Sequence, residues 1–132
     1  MESSLQVGNI TTHTFKVTNE MQPRFADVII HPVCSTWDMA HQFEVVARKS
    51  LEPHLSEGEE GIGSFLSIEH RSPAPIGENV LLEAVVTECD ASSLVCTITA
   101  RIGSRVCASG KQIQRILPSS TIHELIKKAT SQ

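Results

Sequence analysis

Glu44, His70 and Thr36 are the residues here whose types and positions could carry proton-transfer or acyl-transfer chemistry. At 100° per residue, Glu44 projects about 40° from Ala40 and about 60° from Ala47, on the border of an apolar helical stripe where a carboxylate is partly desolvated. It also stands four residues before Arg48, so an ion pair on the solvated face satisfies the same spacing. His70 precedes Arg71-Ser-Pro-Ala-Pro75 at the end of an extended segment, where an imidazole can reach into a cleft and exchange a proton near neutral pH, or serve as a hydrogen-bonded structural group. The Thr36 hydroxyl suits a helix N-cap, and becomes a useful nucleophile only with a base beside it. Periodicity leaves each pair of alternatives open.

Other chemistries find no support. Gly61-Ile-Gly63 is too short for a dinucleotide fingerprint and lacks the third glycine and the receiving helix. The six histidines, at 13, 31, 41, 54, 70 and 123, show neither H-x-x-x-H nor HExxH spacing, so no metal site is predicted. No G-x-S-x-G elbow is present.

The elements that must hold these residues follow from pattern. Ile10 to Thr18 is β-branched and alternating, and reads as a first strand. Asn19 to Val33, interrupted by Pro23 and Pro32, is a candidate lid in which Phe25 to Ile30 forms a short strand or a loop. Ser35 or Thr36 is a plausible N-cap, Asp38 puts a negative charge in the first turn, and Ala40, Phe43, Ala47 and Leu51 recur with helical spacing, flanked by Met39 and Val46. The helix should end before Pro53, with Ser56 to Gly63 as a loop. Strands are then expected over Ser64 to Glu69, Asn79 to Cys89, Leu94 to Ile102 and Arg105 to Leu117, the last two joined by a tight turn at Gly103-Ser104. Thr121 to Glu124 has capping-box spacing for a short terminal helix.

One strand, one long helix and four antiparallel strands make an α+β arrangement, and 132 residues suffice for a single domain spanning 1–132. One helix covers only part of such a sheet, so at least a homodimer is expected. A net charge of −4, from fifteen acids and eleven bases with no basic cluster, argues against nucleic acid. Cys34, Cys89, Cys96 and Cys107 form no C-x-x-C pair, and disulfides are not expected. The first residues lack a basic and an apolar leader region and no apolar run approaches about 18 residues, so no membrane association and a cytoplasmic location are expected.

From about Val7 to about Ile116 the sequence resembles hotdog thioesterases of the fluoroacetyl-CoA thioesterase type. Thr36 opens the helix, Glu44 follows eight residues later, His70 lies twenty-six beyond that, and Gly63 stands seven before His70. The loop Leu55-Ser-Glu-Gly-Glu and the turn Ala74-Pro-Ile-Gly77 also have counterparts in that family. The resemblance implies a hotdog fold, with an antiparallel sheet wrapped around one long central helix and a short C-terminal helix. It also implies hydrolysis of a small acyl-CoA thioester to free acid and CoA, with no cofactor beyond the coenzyme A of the substrate. Glu44 would be base or nucleophile, His70 the proton-exchanging partner, Thr36 a nucleophile or hydroxyl orienter, and the Gly63 N–H an oxyanion donor. An acyl-CoA hydratase or dehydratase, and a non-catalytic dimer binding acyl-CoA or a small acid, are the competing expectations. Eight helical residues separate Thr36 from Glu44 by about 12 Å along the axis and about 80° around it. Either Thr36 folds back from a preceding turn, or the site is assembled from two subunits.

Overall fold

The computed structural model describes residues 5–131; the N-terminal residues 1–4, part of the segment read above for a leader, lie outside them. Strand β1 (Ile10–Lys16) is followed by a small hairpin of β2 (Arg24–Phe25) and β3 (Val28–Ile29), then by helix α1 (Thr36–Leu51). Long strands β4 (Glu59–His70), β5 (Asn79–Cys89), β6 (Ser93–Ile102) and β7 (Arg105–Pro118) come next, and helix α2 (Ser119–Thr130) closes the chain. The main sheet has the order β1-β5-β6-β7-β4 with every pairing antiparallel, so β4 is an edge strand.

The sheet curls around α1. Met39, Phe43, Val46, Ala47 and Leu51 from the helix pack with Phe15, Val80, Leu82, Ala84, Leu94, Ile98 and Ile116 from the strands. The buried stripe also includes Gln42 and Ser50, whereas Ala40 is only half-buried. Its centre is therefore turned from the expected Ala40–Ala47 line toward Met39 and Val46, because strands flank the helix on both sides.

Ser35 is the N-cap of α1: its Oγ accepts from the Asp38 backbone N–H at 3.2 Å and donates to Asp38 Oδ2 at 3.0 Å. Thr36 is the first helical residue, so its hydroxyl is released from capping. After Leu51 the chain tightens into a 3₁₀ turn, Glu52–His54, that accommodates Pro53. The stretch expected to loop as far as Gly63 is strand from Glu59 onward. Its glycines are called for by close approach: a Cβ on Gly61 would come 2.5 Å from Leu51 Cδ2, and one on Gly63 would come 3.1 Å from Glu44 Oε2. The capping box at Thr121 is not formed either. Helix α2 starts three residues earlier, with Pro118 at the cap and the Ser119 N–H donating to the Gly58 carbonyl.

A third glycine sets the spacing of the last two neighbours in the sheet. At Gly110, β7 runs so close to β4 that an added Cβ would overlap the Ser67 carbonyl oxygen. Backbone on both sides prevents relief, so Gly110→Ala should destabilise the fold by about 2–3 kcal/mol. Denaturant melting measures this, and an unchanged midpoint would show the strands able to separate.

Candidate active site

The candidate residues fall into two groups, one at the C-terminal end of β4 and the other near its middle. The first is at the helix N-terminus. Thr36 Oγ1 and His70 Nδ1 are hydrogen-bonded at 3.1 Å. Local backbone ties bring them together. The Cys34 N–H donates to the Ala74 carbonyl at 2.8 Å, and Val33 bridges Pro75, fastening the approach to α1 onto the chain beyond β4. The Arg71 N–H donates to the Cys107 carbonyl at 2.7 Å, and Arg105 Nη1 donates to the Pro73 carbonyl at 2.8 Å, so the segment after His70 is fixed as well.

Burial pushes the His70 imidazole below its ordinary value, with the Ser72 backbone partly opposing the shift. The ring is therefore neutral at pH 7. With Nδ1 engaged by Thr36, Nε2 is left as a buried ring nitrogen without a partner. A pocket of about 370 Å³ opens here, lined by Thr36, His70, His31, Val33, Cys34 and Pro73 among others. Cys34 is no rival nucleophile: burial, then the charge of Asp38 and the neighbouring Cys107, push its thiol up to about 12, so it carries no thiolate at neutral pH. All four cysteines are free thiols.

The second group sits two helical turns away. Glu44 is half-buried and lies against Gly63 in the wall of a pocket of about 360 Å³, also lined by Val45, Arg48, Gly61 and Gln114. Its Oε2 accepts from Gln112 Nε2 at 2.8 Å. The alternative partner, Arg48, is directed elsewhere. Its Nε donates to Glu52 Oε2 at 3.1 Å, its Nη1 donates to the Gly61 carbonyl at 3.1 Å, and its Nη2 lies 3.6 Å from Glu60 Oε2.

Gln112 was not singled out among the candidate residues above. The available signal is a break in patterning: Gln112 and Gln114 occupy the inward-facing positions of a strand that is otherwise apolar toward the helix, and both are buried. Among the described residues, no group of three or more His, Cys, Asp or Glu side chains is arranged to hold a metal ion. Among the same residues, no helix is long and apolar enough to cross a membrane.

An antiparallel sheet packed on one long helix, with the Glu44 carboxylate on the helix and the His70 imidazole at a strand end, is the hotdog arrangement found in thioesterases. The chain belongs to the fluoroacetyl-CoA-specific thioesterase family, whose model matches residues 17–120. Among solved structures, a Thermus thermophilus protein described as a thioesterase superfamily member is 29% identical with a TM-score of 0.90, over 96% of this chain and 94% of that one. The fluoroacetyl-CoA-specific thioesterase itself, as a point variant, is 21% identical with a TM-score of 0.83, over 94% and 96% of the two chains. A hot-dog-like protein from Thermanaerovibrio acidaminovorans shares the fold at 17% identity and a TM-score of 0.83, over 93% and 91%. No curated protein matches the sequence. Of hydrolysis, hydration and binding without turnover, the family selects hydrolysis: the protein is an acyl-CoA thioester hydrolase.

Proposed function

We propose that this thioesterase cleaves a small acyl-CoA at a site completed by two copies of the chain, with Glu44 and Gly63 from one and Thr36 and His70 from the other. The observation that carries this is the division just described: the two groups open into separate pockets, each holding half of the expected machinery.

The free edge of β4 supplies a way to join them. In an antiparallel pairing of two β4 edges about a twofold axis near the middle of the strand, the Gly63 region of each copy is brought toward the His70 end of the other. Isologous pairing of this kind also removes an exposed edge that carries the apolar side chains Ile62 and Phe65.

In this arrangement Glu44 either takes the proton of a water that attacks the thioester carbonyl or attacks the carbonyl itself to give an anhydride that water then opens, and in both cases the C–S bond breaks and CoA leaves as its protonated thiol. His70 is held by Thr36 through Nδ1 and exchanges a proton at Nε2, while the Gly63 N–H stabilises the developing oxyanion. Thr36 is the orienter of the ring; a neutral imidazole beside its hydroxyl is also the condition for a nucleophilic role. The reaction needs no cofactor, the only coenzyme being the CoA of the substrate, and a dimer without nucleic acid or membrane partners suffices. A cytoplasmic location, where acyl-CoA esters are available, fits this chemistry.

Thiol release measured over acetyl-, fluoroacetyl- and longer acyl-CoA esters tests the proposal. Short esters should be turned over fastest, at a rate unchanged by a chelator. Turnover confined to long chains would remove the small-acyl assignment, and loss of activity restored by zinc would remove the metal-free one.

A further inference from the structure

We infer that Gln112 is a positioning residue that holds the Glu44 carboxylate in its working orientation. The inference rests on the role given to Glu44 above. Gln112 is 1% exposed and stands in the sheet between Cys96 of β6 and Leu66 of β4, a row otherwise apolar. Its Nε2 donates to Glu44 Oε2 at 2.8 Å, whereas its Oε1 is buried with no hydrogen-bond partner. An amide that is half satisfied in such a place is unfavourable for folding, and an apolar side chain of the same size avoids the penalty.

The orientation is nevertheless forced. Turning the amide over would set Oε1 against a carboxylate oxygen, acceptor against acceptor, so the group must leave its own oxygen unpaired in order to present N–H to Glu44. Gln114, two residues along the same face, shows the contrasting structural use. Its Nε2 donates to the Ala47 carbonyl at 2.9 Å and so ties β7 to the helix backbone. Gln112 ties no backbone; its one bond goes to the candidate catalytic side chain.

The missing side chain at Gly63 completes the arrangement, because a Cβ there would lie 3.1 Å from Glu44 Oε2 and 3.3 Å from Gln112 Nε2. The carboxylate is thus confined between the amide and the strand. Removing the amide frees it to swing toward solvent.

Gln112→Met keeps side-chain volume while deleting donor and acceptor. The expected result is a kcat lowered about tenfold with KM within about twofold, and a melting temperature equal to wild type or higher. In a Glu44→Gln background the same change should lower kcat by less than about twofold further, since the carboxylate it positions is gone. Wild-type kcat for Gln112→Met overturns the inference, as do independent, multiplying effects in the double variant. A melting temperature lowered by more than about 5 °C, or failure to fold, marks a structural role and overturns it too. If Glu44→Gln is itself fully active, the role of Glu44 fails and this inference with it. An inactive Glu44→Gln beside a fully active Gln112→Met rejects the Gln112 inference alone.

Discussion

Glu44→Gln and His70→Ala should each lower kcat by about 10²-fold or more, the scale expected when a general acid–base or nucleophilic group is removed. Stability should hardly change. Glu44 lies at the edge of the helix stripe and bonds one side-chain amide, which glutamine can still meet through its carbonyl oxygen. His70 ends an edge strand, and alanine there loses one hydrogen bond to Thr36. Thiol release and thermal melting on the same samples separate chemistry from folding, and a folded, fully active Glu44→Gln protein would end the case for this site. The pH dependence carries a sign. Because burial favours the neutral imidazole, activity that needs neutral His70 should persist as pH falls through the usual imidazole value of about 6.5 and decline only below it. His70→Ala should abolish that acid limb in whatever activity remains. A limb midpoint above the ordinary imidazole value would contradict the burial seen here.

Mixing those two inactive proteins should restore turnover. If each site draws Glu44 from one copy and His70 from the other, a mixed dimer contains one site with both lesions and one with neither. Random exchange at equal concentrations should then recover about a quarter of wild-type activity. Sites built within a single chain predict no recovery above the sum of the parents. Sedimentation of the wild type completes the test, since a monomer at micromolar concentration would remove both the dimer and any site spanning it.

Much of this was legible in the sequence. Asn79–Cys89 alternates cleanly because one face is core and the other is open, and its predicted limits are those observed. The long helix was equally plain, since its caps and Pro53 bound it from both sides. Glycine was harder to interpret. Gly61 and Gly63 carry the same local signal as a flexible loop, and only the tertiary approach of Leu51 and Glu44 shows that they are strand residues lacking side chains for want of room. The candidate lid is a hairpin whose two-residue turn, Ala26-Asp27, has φ of 50° and 66°. Both values suit a type I′ turn, which Asn-Gly would have announced and Ala-Asp conceals. Gln112 is hidden in the sequence because a lone polar residue in a strand looks like an outward-facing one until its neighbours across the sheet are known.

The pairing of β4 with β7 slips by one residue between Gly63 and Phe65. Side chains along a strand alternate, so residues seven apart, such as Gly63 and His70, would otherwise lie on opposite faces. The slip restores them to one face: Gly63 pairs with Gln114 and His70 with Ala108, both inward-facing partners. Ser64 therefore works as a phase shifter, an uneven count made even. Excising that single residue would turn one half of the strand inside out relative to the other, setting either the glycine or the histidine toward solvent. The length of this strand is thus as much a part of the proposed site as the identities of the residues on it, and homologous enzymes that share the arrangement should tolerate insertions on either side of β4 but not within it.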